Sequence, residues 1–545
     1  MAFMAKRHAR ADGLGFLTTP RSRRLFGGLV RLLMPAFLVP ALLMPASGVL
    51  LPGTGAALAQ NHSAPQATDA SRAAPDKSAR LPPDSTTEHS IELPAMAEQP
   101  PRTIAFKATA GSLPINDGSG VLQAEIAFVS YVTGDPGRPV TFLFNGGPGA
   151  ASAYLNIGAV GPWRLPLEDI SPSSTPALAA NAETWLDFTD LVFIDPVSTG
   201  YSHVVVGDAT RRLLSVDGDV EALAAVIRRW IERNGRQASV KFVVGESYGG
   251  FRVPKVARAL GDQGVGVRGL VMISPVLDFA SFGQRRHNPM GFVTRLPSMA
   301  ATVMAQAQAK PGPFSRDALR EVEAYASGDY LRDLMRGEAD AEAIARMTPQ
   351  VSAYTGIDPA EVKRLGARVD TATFQRELRR DHGLVASAYD PTVTSFDPSP
   401  HASQSRFSDP VLDAMGPPVT GAMTALYQGP LKWRVDEPYR LLNEDVNVQW
   451  NWGRGRSGPE VVDDLRNALA SDRELYALVV HGASDLVTPY FQSKLILDQM
   501  PVFGSADRLR LLVYGGGHMF YTRDASRRAF RADIQQFFRS ALRQE

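Results

Sequence analysis

Gly245-Glu246-Ser247-Tyr248-Gly249 is the only G-x-S-x-G string in the chain, and it directly follows an apolar run ending at Val244. A serine becomes a nucleophile only beside a base, and the base needs an acid to hold its tautomer. A strand-to-helix turn tight enough to lift Ser247 Oγ clear of a sheet needs small neighbours, which the flanking glycines supply. An ordinary glycine-rich turn has the same composition, so the rest of the chain must decide. Serines on such turns are followed along the chain by the acid and then by the histidine. Of nine histidines, His401, His481 and His518 lie late enough. His518 ends Tyr514-Gly-Gly-Gly-His518, just past a strand pattern, on a loop able to carry an imidazole to a serine. His401 has no strand pattern before it, and His481 leaves no later acid-then-histidine order unless His518 is used anyway. Asp485 follows the strand pattern Leu475 to Val480 and suits the orienting carboxylate, whereas Asp472 and Asp507 read as solvated cap or turn residues. The expected triad is Ser247, Asp485 and His518.

Acyl transfer through a serine also needs preorganised N–H donors for the oxyanion. Asn145-Gly146-Gly147-Pro148-Gly149 follows the apolar run Val140 to Phe144, at the carboxyl edge where open α/β sheets bind ligands. Glycines after a buried strand and upstream of the serine turn favour a backbone oxyanion loop over a plain loop, with Tyr248 N–H as a second donor.

These groups are positioned by a recognisable alternation of elements. Short alternating segments from Ile104 to Tyr131 predict antiparallel strands. Continuous apolar runs at Val140–Phe144, Leu191–Ile194, Val240–Val244 and Leu270–Ile273 predict strands buried on both faces. Val220, Leu223, Ile227 and Trp230 fall on one helical face, and strands return at Leu475–Val480 and Leu509–Tyr514. A last amphipathic helix carries Phe530, Ile534, Phe537 and Ala541. Strands alternating with helices predict an α/β fold with a mostly parallel sheet covered on both faces. The pattern lapses between about 286 and 440, read as an insertion over the sheet. It still holds a helix start at Asp358-Pro359-Ala360-Glu361.

Taken together, Asn145-Gly-Gly-Pro-Gly149, Asp195-Pro-Val-Ser-Thr-Gly-Tyr-Ser202, Gly245-Glu-Ser-Tyr-Gly-Gly250, Asp485 and Gly517-His518 resemble the successive signatures of the serine carboxypeptidases. Asn181 and Trp185 add to the resemblance, which runs with gaps from about residue 104 to 540 and points to an exported bacterial member. It implies an α/β-hydrolase fold with an inserted cap. It also implies an oxyanion hole from the Gly147 and Tyr248 N–H groups, and Asn145 and Glu246 as the site for a peptide's terminal carboxylate. The implied reaction removes C-terminal residues of peptides through an acyl-enzyme on Ser247, without cofactor or metal. Two positions depart from the family: Ala150 replaces a cysteine, and Ala159 replaces a second glutamate, leaving the paired-glutamate carboxylate site incomplete. That departure keeps a serine esterase or acyltransferase on the same triad as the alternative. A non-catalytic binding protein on this scaffold would show a broken triad, and none is broken here.

The bulk numbers agree with an enzyme of small molecules or peptides. Fifty-seven basic and 56 acidic side chains leave no excess charge to recruit nucleic acid. The absence of cysteine excludes disulfides, thiolate metal sites and a cysteine nucleophile. Arginines crowd the N-terminus before an apolar stretch from about Leu32 to Leu51, and Ala57-Leu58-Ala59 supplies a small-x-small cleavage pattern. Pro35, Pro40, Pro45 and Pro52 argue against a membrane-spanning helix. A cleaved export signal is expected, giving a periplasmic or secreted protein without a membrane span. Arg23-Arg24 resembles a twin-arginine leader, with a general secretory signal as the other route. The expected layout is a signal at 1–59, a flexible linker at 60–100, core at 101–285, cap insertion at 286–440 and core at 441–545. Oligomeric state is not legible.

Overall fold

Apolar side chains alternating above and below the main strands of a ten-stranded sheet form two layers, one on each face. The computed structural model describes residues 80–95, 100–281, 283–307, 314–403, 405–453 and 458–543. The expected signal segment therefore lies outside the described residues. The main strands of the sheet are β1 (Ser85–Leu93), β2 (Arg102–Asn116), β3 (Leu122–Val132), β4 (Val140–Phe144), β5 (Asp190–Ile194), β6 (Lys241–Glu246), β7 (Gly269–Ile273), β8 (Tyr476–Gly482) and β9 (Leu509–Tyr514), and the short segment His203–Val204 pairs with β3 at the side. Their order across the sheet is β1-β2-β3-β5-β4-β6-β7-β8-β9. β1, β2, β3 and β5 pair antiparallel, and from β5 through β9 every pairing is parallel.

The sequence reading of antiparallel strands followed by buried parallel ones is what the structure shows. One stretch differs. Ser85–Leu93, expected within the linker, is a strand in register with β2, Ile91 facing Ile104 and Leu93 facing Arg102. Only Ile91 and Leu93 of that strand are buried, so its apolar alternation is too short to read as a strand in sequence.

In β6, Phe242 and Val244 face one layer and Val243 the other; β7 and β8 repeat the division with Val271, Ile273, Leu478 and Val480 against Leu270, Met272, Ala477 and Val479. Helices α1 (Val216–Arg233) and α2 (Tyr248–Asp262) cover the second layer. Helices α3 (Pro410–Gln428) and α4 (Asp524–Leu542) cover the first, with the phenyl rings of Phe242 and Phe538 stacked at 3.9 Å. The stretch expected as one insertion thus divides. Residues from Phe292 to Phe374 form a separate apolar cluster with Ala483, Leu486, Tyr490 and Phe491, while α3 belongs to the sheet's own core. The helix start read at Asp358 is real: its carboxylate caps Pro359–Arg364 by accepting Ala360 N–H.

Behind the serine turn, α1 and α2 are locked by a buried ion pair. Arg252 donates to both Asp219 oxygens, at 2.6 and 3.2 Å, and to the Asn145 carbonyl at 2.6 Å, with its guanidinium 4.7 Å above the Tyr248 ring. Both side chains are 1% exposed. Burial pushes the Asp219 carboxyl up, and the charge and hydrogen bonds of Arg252 offset that. Arg252→Ala should leave Asp219 buried without a counter-charge and lower the unfolding free energy by about 3–5 kcal/mol. Urea denaturation followed by tryptophan fluorescence measures it; a loss below about 1 kcal/mol would contradict the lock.

Candidate active site

Parallel register brings the chemistry to one edge. Phe144 lies beside Gly245, Glu246 beside Ile273, Ile273 beside Val480, and Gly482 beside Tyr514. The residues that follow these strand ends therefore emerge side by side. They are Asn145 after β4, Ser247 after β6, Ser274 after β7, Asp485 after β8 and His518 after β9.

Ser247 occupies φ 60°, ψ −122°, a backbone conformation that costs a non-glycine residue free energy and persists only where its surroundings enforce it. Ser247 N–H donates to the Ile273 carbonyl at 2.8 Å, and α2 begins at the next residue. The Asn145–Gly149 loop presses directly onto this turn. A Cβ on Gly146 would lie 2.6 Å from both Glu246 O and Tyr248 N, so only glycine permits the approach. Gly147, at φ +100°, then lies beside the turn, and Tyr248 N–H, in the first turn of α2, has no intrahelical acceptor.

His518 and Asp485 are hydrogen-bonded, Nδ1 to Oδ2, at 2.7 Å, and both are buried. Asp485 Oδ1 accepts the Val487 and Thr488 N–H groups at 2.8 and 2.9 Å, and the Thr488 hydroxyl donates to Oδ2 or to the Ser274 carbonyl. An Asp485 oxygen accepting from Nδ1 places the His518 proton there and leaves Nε2 as the acceptor of the ring. Burial disfavours the charged imidazole, but the field and hydrogen bond of Asp485, with Glu246 and Asp409 beyond, outweigh it and raise the His518 pKa. Among the described residues Ser247 Oγ is not hydrogen-bonded to His518; in serine hydrolases such bonds are often long or poorly aligned until the Michaelis complex forms.

Glu246 is 2% exposed. Its Oε2 accepts from Asn145 Nδ2 at 2.5 Å and from the Tyr521 hydroxyl at 2.8 Å. Asn145 Oδ1 accepts Leu155 N–H at 3.1 Å, so both ends of that amide are committed. Burial pushes the Glu246 carboxyl up to about 7, against the lowering effects of His518 and the two hydrogen bonds. Sequence reasoning did not find Tyr521. Its one signal is a place three residues after His518, on the loop that must reach the nucleophile. Gly158 packs against its ring, a Cβ there lying 3.6 Å from Tyr521 Cε2.

The remaining candidates serve the frame. Asp195 accepts Ser152 N–H at 2.8 Å and so braces the loop beyond Gly149, while burial pushes its carboxyl up to about 7. Asn181 holds the Ala159 and Gly161 carbonyls, and Trp185 is buried. His481 is fully buried against Ser493, and burial lowers its pKa to about 4, so it is a neutral core residue. Among the described residues no group of three or more His, Asp or Glu side chains is arranged to hold a metal ion.

A mostly parallel, helix-covered sheet with a serine on a strained turn at its carboxyl edge defines the α/β-hydrolase class. Residues 122–278 match the model of the serine carboxypeptidase family. It is 33% identical over 132 residues to the pheromone-processing carboxypeptidase KEX1 of Metarhizium robertsii, covering 23% of this chain and 19% of that one. To the corresponding protein of Aspergillus niger it is 30% identical over 139 residues, covering 25% and 21%. The chain thus spans about a fifth of the length of these curated relatives. The crystal structure of a prohormone-processing carboxypeptidase from Saccharomyces cerevisiae superposes with a TM-score of 0.52 at 14% identity, covering 80% of this chain and 91% of that one, a likeness of fold. Asn145, Gly147, Glu246, Ser247 and Tyr248 lie inside the matched segment; Asp485 and His518 lie beyond it and reach the site through the sheet.

Glu246 should therefore hold a proton at mildly acidic pH. Infrared difference spectra, wild type minus Glu246→Gln, should show a protonated carboxyl band that fades with a midpoint near 7. Tyr521→Phe should move the midpoint upward, since the lost donor favoured the ionised form. A Glu246 carboxyl already ionised at pH 5 would contradict the burial argument.

Proposed function

We propose that this chain is a serine-type carboxypeptidase acting on peptides through an acyl-enzyme on Ser247. The observation that carries the reading is the buried Glu246 carboxyl, held by Asn145 and Tyr521 immediately before the nucleophile. A nucleophile alone serves any acyl group; a carboxyl that keeps its proton beside it can donate to a substrate carboxylate. Asn145 Nδ2 carries a second hydrogen for the same anion.

In the proposed reaction His518 Nε2 accepts the Ser247 proton as Oγ attacks the scissile carbonyl. Asp485 holds the imidazole in the required tautomer and stabilises the imidazolium as it forms. Gly147 and Tyr248 N–H groups receive the oxyanion. His518 then returns the proton to the leaving amine, and water releases the acyl group by the same steps in reverse roles. Ala159, buried at the π-turn Asn156–Val160, contributes no second carboxyl, so a single proton on Glu246 must separate its charge from that of the substrate. Ionising Glu246 against a bound carboxylate would cost roughly a few kcal/mol at an effective dielectric near 20.

The pH dependence follows. His518 must be neutral to act as base, so kcat/KM rises with pH through its elevated pKa. Glu246 must be protonated to hold a free carboxylate, so kcat/KM for free-acid peptides falls again above about 7. Peptides with an amidated C-terminus should show the rising limb alone. Glu246→Gln should flatten the falling limb and move the rising limb to lower pH, because the ionised Glu246 helps to raise the His518 pKa. Superimposable wild-type profiles for free acid and amide would remove Glu246 from carboxylate recognition and favour the esterase or acyltransferase reading.

We also propose that the chain is exported and cleaved after Ala59, on the strength of the basic, apolar leader ending in Ala57-Leu58-Ala59. Among the described residues no helix is long and apolar enough to cross a membrane. N-terminal sequencing of the protein recovered outside the cytoplasm should begin at or near Gln60. An intact Met1 in that pool would refute cleavage.

A further inference from the structure

His518 rides on a glycine loop, Gly515-Gly516-Gly517, that has no side chains of its own to fix it. Its carbonyls are held by the Ser274 and Ser526 hydroxyls and by Ser484 N–H, and its N–H groups at Gly517 and His518 by the stretch between Phe374 and α3. The Tyr389 carbonyl accepts His518 N–H at 2.6 Å, and the Tyr389 ring meets the imidazole edge-on, centroids 5.2 Å apart. Asp390 Oδ2 accepts Gly517 N–H at 3.1 Å and Arg523 Nη2 at 2.6 Å, gripping the histidine loop on both sides of His518. Asp390 Oδ1 accepts the Thr392 hydroxyl at 2.8 Å, which fixes the carboxylate's own orientation. The contact is close: a Cβ on Gly517 would fall 1.9 Å from Tyr389 O and 2.5 Å from Asp390 Cβ.

The same stretch also holds the acid. The Ala388 carbonyl accepts Leu486 N–H at 3.1 Å, one residue after Asp485. Its foot is anchored by Asp409, which accepts the Ser387 hydroxyl at 2.6 Å and Ala388 N–H at 2.8 Å. Three consecutive residues thus span the gap between the loops that carry the acid and the base.

We propose that Ser387–Thr392 is the positioning element of the Asp485–His518 pair, with Asp390 and Arg523 as its positioning residues. The proposal rests on the reading of Ser247 and His518 as nucleophile and base. Asp390 touches neither Ser247 nor His518 side chains; it sets where the His518 backbone lies. It also forms part of the wall of a cavity of about 230 Å³ together with Tyr389, Met415, Met519 and Thr522, so a direct contact with substrate is the competing role. The two roles separate kinetically. A displaced base slows the chemical step for every substrate, and an error of about 1 Å in such placement costs up to roughly 100-fold. A lost substrate contact changes KM and leaves the intrinsic reactivity of Ser247 alone.

The experiment measures covalent labelling of Ser247 by a small serine-directed phosphonate, together with kcat and KM on one peptide, in the full chain. Asp390→Ala should slow both labelling and kcat by roughly 10–100-fold, with KM little changed. Asp390→Asn keeps an acceptor for Gly517 N–H and should recover part of the rate; it decides the matter if the alanine variant does not fold. Arg523→Ala combined with Asp390→Ala should be no slower than Asp390→Ala alone, since both remove one device. Arg346→Ala breaks the Arg346–Asp333 ion pair in the helices that precede this stretch and should leave the labelling rate at the wild-type value. Wild-type labelling in folded Asp390→Ala and Asp390→Asn, or a change confined to KM, overturns the positioning role. Failure of the wild type to label at Ser247 overturns the nucleophile reading and this inference with it.

Discussion

Everything at this site depends on the parallel register of β4, β6, β7 and β8. Adjacent parallel strands end together, so Asn145, Ser247, Ser274 and the loop to Asp485 leave the sheet at one height, although Asn145 and Asp485 are more than three hundred residues apart along the chain. Register is fixed by alternation: a slip of one residue would turn Val244, Ile273 and Val480 out of their layer. The same core that stabilises the fold therefore sets the spacing of the groups proposed to carry the reaction. The strained Ser247 backbone is tolerable because both sides of the turn are held, by Ile273 O on one strand and by the Gly146 contact on another.

Within that frame, burial separates the carboxyl groups into different tasks. Asp485 is fully buried yet surrounded by donors from Val487, Thr488 and His518. Glu246 is equally enclosed but has only Asn145 and Tyr521, and its pKa rises to about 7. Asp219, behind the turn, is neutralised by Arg252. One sheet edge thus carries a carboxyl that accepts from an imidazole and a second carboxyl able to hold its proton. The two are alike in burial and differ in the number of donors that face them.

Most of this order was legible in the sequence because it is local. Buried parallel strands leave continuous apolar runs, and the tight turn at Ser247 demands small neighbours. The assignments Ser247, Asp485 and His518 rest on chain order, and the structure brings Asp485 and His518 into contact. The edge strand Ser85–Leu93 escaped because its outer face is polar and only Ile91 and Leu93 are buried. Tyr521 and Asp390 escaped for another reason. Each acts through long-range hydrogen bonds, Tyr521 to Glu246 and Asp390 from Gly517 and Arg523, and such contacts leave no period or motif behind. The division of 286–440 between a separate cluster and the sheet core likewise depends on which surfaces meet, which composition does not record.

The central claim is that the buried carboxyl next to the nucleophile directs the serine to the last peptide bond of a chain. Mass spectrometry of one peptide, offered as the free acid and as its C-terminal amide at mildly acidic pH, tests it most directly. The account predicts stepwise loss of single residues from the C-terminus of the free acid, much slower attack on the amide, and no product from either with Ser247→Ala. Internal cleavage, equal rates on the two forms, or release of esters without release of terminal residues would contradict it.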